Sequence, residues 1–231
     1  MQKILGIPMV EHVLRRVEMC DLLDEVYVAT CDDEIYDHVV SVSGKAVMTS
    51  TRHERASDRV AEANESIDAD FIVLVQGDEP MTTPEMVTQA LQPMLDDSTI
   101  CCVNLTAQIK DVEEFEDRNT IKVVTNLESD AVYFSREPIP HSDKIGFDQS
   151  PKWKQVCIIP FTRESLAAYA TLAPTPLEVS ESVDMMRFVE HGYKVRMVEC
   201  TTASHAVDTK DDRVRVESIM KTDPLVGAYL S

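Results

Sequence analysis

The chain has 231 residues, a formal net charge of −19 and 44% hydrophobic residues. That length allows one α/β domain with a proper core, and the acidity argues against nucleic-acid or anionic-membrane partners. With no apolar run near ~18 residues and no basic-apolar leader, a soluble, cytoplasmic protein is expected.

A helix begins almost at once. Gly6-Ile7-Pro8 leads into Met9, Val10, Val13, Leu14 and Val17, an apolar face at helical spacing, with too few residues before it for a strand and its connection. Val26–Thr30 reads as a strand, Asp32–Val42 as a helix ending near Gly44, and Lys45–Thr49 as a short strand. His53–Ile67 reads as a charged helix. The run Phe71-Ile-Val-Leu-Val75 is then predicted to be a strand buried on both faces. Thr83 caps a helix to about Leu95, with Pro84 at its first position, and Ile100–Leu105 follows as a strand. This alternation predicts a doubly wound, mostly parallel Rossmann-like sheet.

After residue 106 the rhythm changes. Ile121–Thr125 and Ala131–Ser135 read as paired strands, and Pro138 to Gln149 as an irregular arm. Gln155–Ile159 resumes the sheet, Arg163–Leu172 is helical, and a second helix is expected from Pro174 to the Gly192 stop. Lys194–Cys200 reads as a strand, and Asp208-Thr209 caps a closing helix, Asp211–Met220. One domain over 1–231 is expected, with inserted strands and a lid or dimerisation arm over 119–160. Cys20, Cys31, Cys101, Cys102, Cys157 and Cys200 form no C-x-x-C pair, so reduced thiols are expected and zinc is not.

The chemistry concentrates where strands end. Gln76-Gly-Asp78-Glu79-Pro80 follows the Phe71 strand directly, and open α/β sheets bind ligands beyond the carboxyl ends of their strands. Asp78 could hold a hard, phosphate-carrying ion there, or face water in an ordinary corner. Asp208 could share that ion or only cap its helix. His53 to Arg59 reads on its own as a solvated helical turn.

The ordered set Gly6-x-Pro-Met-x-x-His-Val13, Met48-Thr49-x-x-x-His53 with Arg59, Val75-Gln-Gly-Asp-Glu-Pro80, Asn119-x-x-Lys122-Val-Val, Tyr133-Phe-Ser-Arg136, Pro174-x-Pro-Leu-Glu178 and Val207-Asp-Thr209 resembles the 3-deoxy-manno-octulosonate cytidylyltransferases (CMP-Kdo synthetases) over nearly the whole chain. The resemblance implies attack by the anomeric hydroxyl of a 2-keto-3-deoxy sugar acid on the α-phosphate of CTP, with Mg²⁺ as cofactor and a homodimer as the working state. It implies Asp78 and Asp208 as metal ligands, and Lys122 and Arg136 as catalytic charge partners beside Asp78. Lys3, His53, Ala56, Ser57, Asp58, Arg59 and Gln76 would meet the nucleotide. Gln76, Glu79, Tyr133, Ser135, Arg136, Gln155, Glu181 and Asp184 would meet the sugar.

Two departures qualify the implication. The family's opening strand and basic phosphate loop, roughly twenty residues, lie upstream of the family segment that Met1 matches, with Lys3 near the loop's downstream edge. A truncated form or a misplaced start is the preferred explanation; as written, the chain is expected to transfer weakly or not at all. In the sugar pocket Gln155 replaces a histidine, Asp184-Met185 replaces Glu-Gln, and Ala56 replaces a glycine in the nucleotide loop. Another octulosonic or nonulosonic acid is therefore an alternative acceptor, and a non-catalytic homologue is the alternative from another class.

Overall fold

The computed structural model describes residues 1–67, 69–142, 144, 146–202 and 205–230. In chain order the elements are β1 (Lys3–Ile4), β2 (Ile7–Pro8), α1 (Met9–Val17), β3 (Tyr27–Thr30), α2 (Asp33–Ser41), β4 (Lys45–Met48), α3 (Ala56–Asn64) and β5 (Phe71–Val75). Then come α4 (Pro84–Asp96), β6 (Val103–Gln108), α5 (Val112–Glu116), β7 (Lys122–Thr125), β8 (Ala131–Ser135), β9 (Trp153–Val156) and β10 (Ile158–Thr162). The chain closes with α6 (Arg163–Thr171), α7 (Pro176–Glu181), α8 (Met185–Glu190), β11 (Arg196–Glu199), α9 (Lys210–Met220) and α10 (Pro224–Tyr229). The α/β class is as the alternation predicts. Two compact units share these elements: Met1–Asp68 with Val75–Thr88 and Ser204–Ser231, and Ala69–Leu74 with Gln89–Ala203.

In the first unit β3 and β4 pair in parallel. The residues before α1, expected to hold no strand, form a minimal hairpin: Lys3 faces Pro8 and Ile4 faces Ile7 across Leu5-Gly6, both at positive φ. Asp32 caps α2 by accepting from Glu34 N at 2.8 Å. Gly44 sits so close to the helices before it that a Cβ would stand 2.6 Å from Leu14 Cδ2 and 2.9 Å from Val39 Cγ1, so a side chain there would force these neighbours to shift. The charged helix starts at Ala56 rather than His53, because residues 49–53 form a loop around the Arg59 side chain. Ile4, Met81, Val216 and Met220 make an apolar core, with Val207 and Val226 packed against it.

The second unit is built on a five-stranded sheet in the order β11-β6-β9-β7-β8. β11 lies parallel to β6, whereas β9, β7 and β8 join antiparallel: β7 and β8 form a hairpin, and β9 returns to lie between β7 and β6. β5 pairs with β10. Contrary to the two-faced burial expected for Phe71–Val75, only Leu74 is buried, because β10 is the one strand neighbour of β5 among the described residues.

Three boundaries depart from the sequence reading. The strand expected at Ile100 starts at Val103, since Cys102 instead bridges to Phe161. The strand expected over Gln155–Ile159 breaks at Cys157 into β9, which pairs with β6 and β7, and β10, which pairs with β5. The long helix expected from Pro174 divides into α7 and α8 at Ser182, which is left-handed with φ 53°. Arg136 stabilises that break by donating to the Glu181 carbonyl at 2.8 Å and the Ser182 carbonyl at 3.3 Å. The short helices α5 and α10 have no counterpart in the sequence reading.

Candidate active site

Two carboxylates of the first unit come together. Asp78 lies on the turn after β5, and its backbone carbonyl accepts from Val207 N at 2.9 Å, which brings the residue before Asp208 against that turn. Asp78 Oδ1 is buried and accepts no hydrogen bond among the described residues. Burial, and then the charge of Asp208, raise the Asp78 carboxyl above its ordinary value. Asp208 does not cap the last long helix. Thr209 does, with Asp212 completing a capping box, and the Asp208 side chain is exposed. An orphaned buried oxygen beside a second anion fits a divalent cation. No group of three or more His, Cys, Asp or Glu side chains with metal-binding placement occurs among the described residues. Two carboxylates suit Mg²⁺, which completes its octahedron with phosphates and water.

The same unit carries most of the expected nucleotide residues. Arg59 donates to Thr49 Oγ1 at 2.7 Å and to the backbone carbonyls of Ser50 and His53, so it holds the loop between β4 and α3. His53 Nε2 pairs with Glu62, whose carboxylate also accepts from Ser50 N at 3.1 Å, and the His53 bond holds Glu62 below the usual carboxylate range. Ala56, Ser57 and Asp58 form the first turn of α3, with Ser57 fully buried. Lys3 is exposed on β1, and its carbonyl accepts from Arg213 at 3.2 Å. Gln76 is half-buried and Glu79 buried on the Asp78 turn. Sequence reasoning missed Thr49 as the partner of Arg59 and Glu62 as the partner of His53. Nothing in local spacing marks either pair.

A second cluster belongs to the other unit. Tyr133 Oη and Ser135 Oγ donate to Glu181 Oε1 at 2.9 and 3.1 Å, and Arg136 N donates to Glu181 Oε2 at 2.9 Å. Three of the expected sugar residues therefore converge on the carboxylate of a fourth. Gln155 stands apart from them on β9 and donates from Nε2 to Asn104 Oδ1 at 2.5 Å. The fully buried Asn104 in turn donates to the Leu105 and Val156 carbonyls. Asn104 is a residue the sequence offered no reason to select. Asp184 begins α8, and its carbonyl accepts from Tyr169 Oη at 3.4 Å; Met185 beside it is core.

Lys122 needs correction. It was expected to act as a charge partner for substrate, yet it is fully buried, and its ammonium donates to the backbone carbonyls of Asp117, Thr120 and Arg136. An ammonium has three protons, and all three are engaged. Burial lowers its pKa, and in this geometry it holds backbone rather than a ligand. Arg136 likewise serves carbonyls, of Arg118, Glu181 and Ser182, but remains part-exposed.

Three comparisons bear on this geometry. The family profile described as Cytidylyltransferase matches residues 1–198. A 3-deoxy-manno-octulosonate cytidylyltransferase of Geobacter metallireducens is 40% identical over 223 residues, 93% of this chain and 88% of that protein. One of Geotalea uraniireducens is 37% identical over 227 residues, covering 94% and 90%. A solved CMP:2-keto-3-deoxy-manno-octonic acid synthetase complexed with CTP superposes with a TM-score of 0.87 at 34% identity, covering 95% of this chain and 90% of that one. A 4-diphosphocytidyl-2C-methyl-D-erythritol synthase from Anaerococcus prevotii, TM-score 0.62 at 14% identity over 95% of this chain and 91% of that one, shares the fold alone.

Proposed function

The chain belongs to the cytidylyltransferase family, and from that premise we propose that it transfers the cytidylyl group of CTP to a 2-keto-3-deoxy sugar acid, Kdo or a close relative. The observation that carries this reading is the buried, unpartnered Asp78 oxygen beside Asp208 in a chain whose solved relative was complexed with CTP. The acceptor's anomeric oxygen attacks the α-phosphorus, the bond from that phosphorus to the bridging oxygen breaks, and pyrophosphate leaves with the electron pair. The hydroxyl proton passes to solvent in the net reaction.

Asp78 and Asp208 would hold Mg²⁺, which when bound supplies charge neutralisation along the phosphates. Arg59 and His53 keep the β4–α3 loop in shape for the nucleoside, with Ala56, Ser57 and Asp58 presenting the first turn of α3, Gln76 beside the metal turn and Lys3 as a cation for phosphate. In the second unit Glu181, oriented by Tyr133, Ser135 and the Arg136 backbone, accepts from sugar hydroxyls, and the Arg136 guanidinium attracts the sugar carboxylate. Lys122 positions the Arg136 backbone. Gln155 and Asp184 read further hydroxyls; an amide in place of the family's imidazole at Gln155 is what admits an acceptor other than Kdo. A CTP-consuming step of this kind belongs in the cytoplasm, and the working state is a homodimer formed through the arm after Arg136.

Pyrophosphate release from CTP, assayed on the protein extended upstream of Met1 with Kdo and a panel of related octulosonic and nonulosonic acids, tests the transfer. Release with at least one acid is expected, dependent on Mg²⁺ and not supported by UTP or ATP. Silence with every acid rejects the enzyme reading in favour of a binding homologue. Light scattering on the eluting protein tests the dimer, which a monomer mass would reject.

A further inference from the structure

The helix α10 is tied into the first unit by the polar side chains of Arg16, His12 and Tyr229 and the N-cap Asp223. Arg16 on α1 is fully buried. It donates from Nη2 to Asp223 Oδ2 at 2.5 Å, from Nε to Tyr229 Oη at 3.1 Å and from Nη1 to the Thr82 carbonyl at 3.4 Å. His12, one turn earlier and also fully buried, contacts Tyr229 Oη through Nδ1 at 2.7 Å and the Ile4 carbonyl through Nε2 at 2.8 Å. A carbonyl can only accept, so Nε2 carries the imidazole proton. Burial keeps the ring neutral by lowering its pKa, so Nδ1 is an acceptor. One direction of donation satisfies every group: Arg16 to Tyr229, Tyr229 to His12, and His12 to Ile4.

One end of this relay reaches the turn that carries Asp78, and the other reaches the core on which Val207, beside Asp208, packs. Arg16 reaches Thr82, the last residue of the turn that begins at Gln76 and bears Asp78. Ile4 packs in the same core as Met81, three residues after Asp78, and as Val207, immediately before Asp208. Val226 of α10 packs against that core as well. Val207 N then closes the circuit on the Asp78 carbonyl at 2.9 Å. Tyr229 thus joins α10 to both Arg16 and His12.

We propose that Tyr229 is a positioning residue for the cation site: through Arg16 and His12 it holds α10 against the core and sets the Asp78 turn against Asp208. The inference rests on the reading of those two aspartates as metal ligands. Outer groups that orient metal carboxylates typically contribute roughly 10–100-fold to metal affinity, and this relay is an extended case of such support.

The test is a MgCl₂ titration of thermal unfolding at fixed CTP, which needs no turnover. Unsubstituted protein should gain stability with a defined half-effective Mg²⁺ concentration, and Asp78→Asn should show no gain. Tyr229→Phe keeps the ring, which meets His12 edge-on at 5.6 Å, and removes only the hydroxyl. It should reach a similar plateau at a half-effective Mg²⁺ concentration roughly tenfold higher. Asp223→Ser retains a side-chain cap for Leu225 N while removing the Arg16 ion pair, and should shift the midpoint in the same direction should the tyrosine variant fail to fold. A lowered unfolding temperature with an unchanged Mg²⁺ midpoint, in whichever of the two folds, would show plain structural support and overturn the proposal. A flat titration of the unsubstituted protein overturns the metal reading itself, and the inference falls with it.

Discussion

Asp78→Asn lowers kcat/KM for CTP-dependent transfer by roughly 10²–10³-fold, about 3–4 kcal/mol of transition-state stabilisation, while the metal-free protein becomes more stable. The two effects have one cause. Asp78 sits with a buried oxygen, Oδ1, that no described residue hydrogen-bonds, and the charge of Asp208 adds repulsion. Its carboxyl is therefore raised above the ordinary 3.8. A raised carboxyl means that the folded state binds the proton more readily than the unfolded chain. The ionised form thus opposes folding at neutral pH, and the penalty fades as pH falls through the folded value and then 3.8. An amide of the same shape carries no charge to desolvate, so the stability gain of Asp78→Asn should be full at pH 7 and shrink toward zero in acid. Adding Mg²⁺ with CTP should reverse the order, stabilising the unsubstituted protein but not the variant. Thermal unfolding at several pH values, with and without the ion, reads all three. Retained transfer activity in Asp78→Asn would remove this residue from the metal site.

The parts of the molecule legible in the sequence are those written in local order. Met9–Val17 shows its apolar face in a single stretch, and the helix has those bounds. Thr83-Pro84 announces a helix start, and Met86 N donates to Thr83 Oγ1 at 3.3 Å as the cap requires. The Gln76–Pro80 corner was legible too, because a strand that stops on two acids before a capped helix is a local event. What was not legible depends on side chains far along the chain. Nothing within Pro174–Gly192 says that Ser182 turns left-handed; Arg136, some 46 residues earlier, stabilises the break. Lys122 looks like a free cation in a motif, and only the fold shows three carbonyls closing over it. Tyr229 and Asp223 lie beyond every motif, yet they satisfy Arg16, more than 200 residues away. A motif identifies which residues matter more readily than what each one does.

Glu178 shows that distinction at its largest. In sequence it stands with Glu181 in the stretch expected to serve the sugar, but its carboxylate is 1% exposed and closed by a bidentate pair with Arg187, itself 3% exposed. Nε reaches Oε2 at 2.8 Å and Nη2 reaches Oε1 at 2.7 Å, while Thr175 N donates to Oε2 at 3.2 Å. The guanidinium also lies over the Tyr169 ring, 4.4 Å from its centroid. The pair joins α7 to α8 across the Ser182 break, beside the Val183 N bond to the Glu178 carbonyl at 3.2 Å. Glu178→Gln leaves the Arg187 charge buried without its counter-ion and should cost about 3–5 kcal/mol. Arg187→Lys should not rescue it, because an ammonium cannot match the planar fork. Removing both charges is a different experiment: Glu178→Leu with Arg187→Met leaves no uncompensated ion and should restore most of the lost stability. Urea unfolding of the three variants separates these cases. Because Glu181 lies one turn beyond Glu178, loosening α7 should also raise KM for the sugar acid while sparing KM for CTP. A Glu178→Gln protein as stable as its parent would mean that the pair contributes nothing, and that α8 is held by the packing of Met185, Met186 and Phe188 with the Glu190 bonds to the Leu177 and Glu178 backbone.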